Sequence, residues 1–298
     1  MMKSAVQQQE LRTLIQRADA VSRQCKGEVL KCVREIRKEL LLQLEEHDIS
    51  RNADMRDRLI AETQRRIDRL RRRLDRLMDA QMEYASKRAY NGAGRMLDGN
   101  ITRYSTERME VLLDAIKARG GEGMAATFTN GMSKSIVTAL RNATVSAFRE
   151  QAVEGMTNRE LMKVIREKWI GAAKDAENFK FVDRGGRVWN TDNYLMMSVR
   201  TNSMAMYNDT LVDTIARTTG SDLVRISDDG GTADSCDACK KWAGRIVSVT
   251  GNSKDFPSLD EAKADGLFHP NCIHTIEPVD EELDAAEIEA QRGGRRGR

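Results

Sequence analysis

Residues 59–78 read LIAETQRRIDRLRRRLDRLM, and the recurrence of their apolar positions decides the architecture of the N-terminal region. Leu59, Ile67, Leu70, Leu74 and Leu77, with Met55 before them and Tyr84 after, return at helical steps while most of the intervening residues are charged. The pattern predicts a helix over about 51–90 with a narrow apolar seam. So narrow a seam cannot enclose a core alone; it must pack against another helix, or against copies of itself and partners. A matching stripe lies upstream. Leu11, Leu14, Ala18, Val21 and Cys25, then Val29, Cys32, Ile36 and Leu40 after a small phase slip, mark one face of a helix over 5–46. Cys25 and Cys32 on this stripe read as small buried hydrophobes rather than ligands. His47 falls between the two helices with no evident partner.

The second helix is also a block of cations. Arg65, Arg66, Arg69, Arg71, Arg72, Arg73 and Arg76 crowd one stretch, relieved by Asp68 and Asp75. One reading is a solvated helix laced by intrahelical ion pairs. The other is docking on DNA phosphate or an acidic protein surface through Arg65, Arg66, Arg69, Arg72, Arg73 and Arg76. Mixed signs and the lack of interleaved aromatics favour the first. Over the whole chain, 49 Lys and Arg nearly cancel 46 Asp and Glu, so net charge says little about partners.

Composition excludes several classes. Nothing in the chain approaches the roughly 18 to 20 continuous apolar residues of a membrane-spanning helix. Gln8, Gln9, Glu10 and Arg12 interrupt the N-terminus before a secretory signal can form. Five cysteines, an odd number in a chain of 298 residues, do not make a disulfide scaffold. The expected setting for synthesis and folding is a reducing cytoplasm.

Gly92, Gly94 and Gly99 make 91–100 a candidate hinge, and shorter helices follow. One covers 104–118 and ends at Gly120, Gly121 and Gly123; another covers 131–150. Thr157 precedes Glu160 by three residues, a capping-box spacing that opens a helix through Trp169. Arg184, Gly185, Gly186 and Arg187 form a turn between Phe181–Val182 and Val188–Trp189, a small hairpin. A helix from about 191 to 217 carries Leu195, Val199, Leu211 and Ile215 inward, with Met196, Met197, Met204 and Met206 filling gaps or an interface. Beyond Gly220 the pattern changes to three short strands, at 223–226, 245–249 and 273–279, which need the preceding helices for a core. The expected fold is mainly α with a C-terminal α+β module. Its regions are an extended helical assembly region at 1–90, a helical middle at 91–180, the α+β module at 181–280 and a flexible charged tail at 281–298.

One cluster has chemical geometry. Cys236 and Cys239 form a Cys-x-x-Cys half, and His269 and Cys272 a His-x-x-Cys half, with residues 240–268 between them. Three thiolates and an imidazole suit tetrahedral Zn2+, and four protein ligands would close its shell, as in structural rather than hydrolytic sites. Two other readings stand beside it: polar and thiol groups packed without metal, and a redox pair, the latter weakened by the lack of a strand-to-helix context. His274, in a strand-like stretch, reads as an ordinary side chain. The Asp228, Asp229, Gly230, Gly231 run reads as a solvated turn. A P-loop, an HExxH motif and a nucleophile elbow are all absent, so no catalytic residues are assigned and no enzymatic activity is expected.

The C-terminal wording is recognisable beyond its parts. GGRVWNTDNYLMMSVRT (185–201), LVRISDDGGTADSCDACKKWAGRIVSV (223–249) and FPSLDEAKADGLFHPNC (256–272) resemble, in this order, the minor capsid protein family of phages, related to head-morphogenesis proteins of tailed bacteriophages. The resemblance implies a structural head component at the portal vertex or inner capsid, present in several copies per particle. It would act in head assembly, DNA packaging or DNA delivery, in the virion and, during assembly, in the host cytoplasm. Implied partners are the portal protein, a major capsid or scaffolding protein, and DNA through non-specific contact. Carried over, Cys236, Cys239, His269 and Cys272 are characteristic positions of the module, with Asn190, Arg200 and Thr201 as companions; the metal reading rests on the complete four-donor set of this chain, and Trp189, Asn190, Arg200 and Thr201 read as structural support. The competing functions are a metal-dependent nuclease and a zinc-stabilised DNA-binding protein.

Overall fold

Two long amphipathic stripes with complementary charges between them pair as antiparallel helices. The computed structural model describes residues 2–46, 53–119, 123–175, 180–182, 186–228 and 236–292. Its first helices are α1 (Met2–Glu46) and α2 (Ala53–Met96). The predicted stripe of α1 is buried from Leu11 to Leu40, with Val21 only partly so. His47, which the sequence places between these helices, lies outside the described residues. The chain forms two compact units. One comprises Met1–Ala20, Asp79–Arg119 and Met197–Arg298; the other comprises Val21–Met78 and Gly120–Met196.

In the second unit, Arg73 of α2 meets Glu28 of α1 at 2.9 Å, and Arg66 meets Glu39 at 3.3 Å. Leu59, Ile67, Leu70 and Leu74 are buried beneath these pairs. The unit continues with α4 (Met124–Glu154), longer than the predicted 131–150, and α5 (Asn158–Asp175). Thr157 and Glu160 make the predicted capping box, the Thr157 N–H donating to Glu160 Oε2 at 2.8 Å. Phe128, Met132, Ile136, Leu140, Leu161, Ile165 and Trp169 are buried in these two helices, and the Trp169 indole donates to Thr144 Oγ1 at 3.0 Å. The predicted hairpin is present as β1 (Lys180–Val182) and β2 (Val188–Asn190), antiparallel with Phe181 opposite Trp189. Residues 183–185 of its turn lie outside the described residues.

The first unit holds the beginning of α1, the end of α2, α3 (Thr106–Arg119) and most of α6 (Thr191–Thr219). Here the sequence reading of α2 needs two corrections. From Met78 on, the buried line is Met78, Met82, Ala85, Ala89 and Ala93, while Leu77 and Tyr84 lie at its edges. Tyr84 is held there by the Arg17 guanidinium 4.0 Å over its ring and by a 2.9 Å hydrogen bond donated by Arg88 to its hydroxyl. The glycines at 92 and 94 do not break the helix, which runs on to Met96. A Cβ at Gly92 would stand 3.2 Å from the Tyr207 hydroxyl, and one at Gly94 would stand 3.1 Å from Ile101. They permit close packing, and the chain turns at Asp98 and Gly99, where φ is 53° and 81°. Buried Gln81 donates to Ser203 at 3.1 Å and Thr210 lies 3.1 Å from Ser86, so polar bonds join α2 to α6.

Three strands follow as predicted: β3 (Leu223–Ile226), β4 (Ile246–Ser248) and β5 (Ile276–Pro278), in the antiparallel order β4-β3-β5. Three short helices were not predicted: α7 (Asp237–Trp242), α8 (Leu259–Ala264) and α9 (Ala285–Gln291). The sequence reading places a flexible tail from 281, but α9 buries Ile288 against Ile246, Phe256 and Val279. Gln291 also accepts from the Ile246 N–H at 2.9 Å. A single apolar side chain per turn was too weak a signal beside five nearby acids. Residues 293–298 lie outside the described residues, as do 120–122. Among the described residues, no helix is long and apolar enough to cross a membrane.

Candidate metal centre

The Cys/His cluster is built by two short helices and the turn after them. Cys236 is the N-cap of α7, its sulfur accepting the Cys239 N–H at 3.4 Å, a place usually taken by Ser, Thr, Asp or Asn. The Cys-x-x-Cys half therefore opens a helix. One turn later Cys239 points inward and is buried. The second half arrives through α8, which Ser258 and Glu261 start with a complete capping box. Gly266, at φ 105°, then brings the backbone so close to α7 that an added Cβ would lie 3.3 Å from Ala238. Asp265 fastens the same approach, accepting from the Trp242 indole at 2.8 Å and from Lys241 at 2.5 Å.

The loop from Phe268 to Cys272 is tightly coiled. Phe268 and Asn271 adopt φ of 60° and 65°, left-handed values that Asn tolerates and a bulky residue rarely adopts. The Cys272 N–H closes the turn on the His269 carbonyl at 2.9 Å, and Asn271 N–H donates to Thr201 Oγ1 on α6 at 3.3 Å.

These elements bring the donors into two triads that share Cys239. Cys236, Cys239 and His269 place their ligand atoms within 4.8 Å of one another, and so do Cys239, Cys272 and His274. Cys239 Sγ lies 3.3 Å from His269 Nε2 and 3.7 Å from Cys272 Sγ. Tetrahedral zinc with ordinary bond lengths sets donors about 3.6 Å (S to N) and about 3.8 Å (S to S) apart, so these two spacings fit, while the four predicted donors are not all within 4.8 Å of one another. The imidazole is also prepared. His269 Nδ1 lies 2.8 Å from the Pro270 carbonyl, which can only accept. Nδ1 therefore carries the proton, and the Nε2 lone pair faces the sulfurs, the arrangement that usually orients a metal-binding histidine.

Burial pushes the Cys239 thiol up, and the adjoining sulfurs of Cys236 and Cys272 add to the rise. Backbone N–H donation from Cys239 holds the Cys236 thiol below its ordinary range. A dication would offset the crowding of sulfurs around Cys239. His274, set aside in the sequence reading, is buried with Nδ1 3.5 Å from Cys272 Sγ, and its carbonyl accepts from Asn208 at 3.0 Å. Its two-residue spacing from Cys272 was the available signal. Asp265, Ser258 and Glu261 were also missed, although the Ser-x-x-Glu spacing was legible.

The other singled-out residues separate. Thr201 contacts the His269–Cys272 turn as above, and Arg200 makes a bidentate pair with Asp19 of α1 (2.5 and 2.8 Å) in the same unit. Asn190 caps α6 by accepting the Asn193 N–H at 2.8 Å, and Trp189 packs edge-on against Tyr194 with centroids 6.4 Å apart. Both belong to the other unit. Asp229, Gly230 and Gly231 lie outside the described residues.

Residues 124–291, more than half of the chain and including every donor of the cluster, match the family model described as phage minor capsid protein 2. No curated protein matches the chain, and no solved structure matches it.

Proposed function

The chain belongs to the phage minor capsid protein 2 family, a structural and not an enzymatic one, and from that premise we propose that it is a low-copy head component at the portal vertex or inner capsid. Its neighbours in this reading are the portal protein and a major capsid or scaffolding protein. It enters the head from the host cytoplasm during assembly and serves assembly, packaging or delivery of the genome. The observation that carries the reading is the family match spanning the folded Cys/His region.

In the same reading Cys236, Cys239, His269 and Cys272 hold a structural Zn2+, with His274 beside Cys272. The ion would supply a cross-link between α7 and the turn after α8, where few large apolar side chains are available to do so. Trp189, Asn190, Arg200 and Thr201 are framework residues: a ring contact, a helix cap, an ion pair between helices and a hydroxyl on the metal-side turn.

Quantitative mass spectrometry of procapsids and mature virions, with crosslinking and copy number normalised to the portal, tests the head assignment. Low-copy retention with portal or inner-capsid crosslinks is expected. Absence from both particle types would sink it.

A further inference from the structure

The arginines of α2 divide into two sets. Arg66 and Arg73 turn to α1 and pair with Glu39 and Glu28. Arg58, Arg65, Arg69, Arg72 and Arg76 are all exposed. Their steps of seven, four, three and four residues return them to one side of the helix, within an arc of about 60° and over about 27 Å. That side is opposite the buried line of Leu59, Ile67, Leu70 and Leu74. All five lie in one unit of the molecule.

The acids nearby leave this stripe cationic along its centre line. Glu62 lies on the face and is shared by Arg65 at 2.8 Å and Arg69 at 3.1 Å. Asp54 stands at its N-terminal end. Of the acids along one flank, Asp57 is exposed beside Arg58, Asp68 accepts from Gln64 and Asp75 pairs with Arg71. Arg58, Arg72 and Arg76 have no ion-pair partner among the described residues.

We infer that this stripe docks on the phosphate backbone of duplex DNA, without sequence preference. Guanidinium forks match phosphate oxygens in pairs of hydrogen bonds. Duplex DNA carries a charge about every 1.7 Å of axis, so a row of about 27 Å meets phosphate in any register. An acidic protein surface is the weaker occupant, because a protein interface needs apolar or aromatic anchors at its centre. None of the exposed large hydrophobic side chains lies on α2. The inference goes beyond the family reading, since α2 lies outside residues 124–291.

The test is binding of the full chain to a mixed-sequence 30-base-pair duplex, followed by fluorescence anisotropy between 50 and 200 mM salt. If all five arginines meet phosphate, they contribute about −4.5 to the slope of log affinity against log salt. The variant R58Q/R65Q/R69Q/R72Q/R76Q should lose most of that slope and bind at least about 100-fold more weakly at the low-salt end, with a circular-dichroism melt that stays cooperative and shifts little, because all five side chains face solvent and only the exposed pairs of Arg65 and Arg69 with Glu62 are lost. The basic segment 292–298 is present in both proteins, so their difference reads the stripe alone. R66Q/R73Q should lower the melting temperature and leave the slope within about one unit of wild type. An unchanged slope in the five-site variant, no binding by wild type, or crosslinks from the stripe to an acidic protein instead of DNA would each overturn the inference. Wild-type absence from particles would instead count against the head assignment and leave the titration standing.

Discussion

Cys25 and Cys32 show how far a single residue type can be read from its surroundings. Both sit on the inner stripe of α1, and burial raises their thiols to about 12 and about 11. With folded-state pKa above the ordinary value, their contribution to stability is full below the ordinary thiol range and is lost as pH rises toward 11 to 12. At pH 8 such thiols hold at least about 100-fold less thiolate than a free cysteine. Cys236 is exposed and hydrogen-bonded in the opposite sense. Labelling with iodoacetamide and peptide mapping should therefore leave Cys25 and Cys32 unmodified in the native protein with or without a chelator. Chelation should open Cys236 first. Fast labelling of Cys25 would contradict its burial, and indifference of Cys236 to chelator would contradict the metal assignment. The chemistry-bearing residues were legible because Cys-x-x-Cys and His-x-x-Cys spacings are local. The place of His274 was not, because only the packing of α6 and the 271–275 segment turns it toward Cys272.

At the scale of elements, α1, α2 and α6 were read nearly to their ends, since each turn repeats the apolar signal, while α4 begins seven residues before the predicted 131. The short ones, α7, α8 and α9, offered one or two buried residues each, and only their caps could have revealed them. Ser258 is the most testable of these. Its hydroxyl accepts the Glu261 N–H at 3.0 Å while the Glu261 carboxylate accepts the Ser258 N–H at 2.7 Å. Ser258→Ala should cost about 1 kcal/mol, and Ser258→Asp should recover most of it. Chemical-denaturation midpoints of the two variants measure this; equal loss in both would show that the cap contributes nothing. Gly92 and Gly94 mark the opposite limit, where glycine read as a breaker and tertiary contact made it a point of close packing.

For the whole molecule, the unit that holds the Cys/His cluster is assembled from three separated segments, 1–20, 79–119 and 197–298. Glu10 of α1 bridges Arg88 and Arg95 of α2 at 2.8 and 2.7 Å, Asp19 holds Arg200, and Thr218 accepts the Thr102 N–H at 3.1 Å. A fragment of residues 181–298 lacks the first two segments and should show no cooperative melt, by circular dichroism, even with zinc present. A sharp two-state transition in that fragment would mean that the module folds alone. For the same reason, deleting residues 1–90 removes part of this unit, and loss of head incorporation by such a deletion would not isolate the role of the hairpin. Point changes on α2 do.

The long helices, the need of their apolar seams for a partner, the three C-terminal strands, the Cys-x-x-Cys and His-x-x-Cys halves and the family were legible along the chain, because periodicity and motif spacing are carried by near neighbours. The folded chain alone shows that the first two helices pair with each other, which arginines lace that pair and which face solvent, how the donors divide around Cys239, and that residues 1–20 share a unit with the cluster. Those depend on contacts between segments far apart in sequence, which no local pattern encodes.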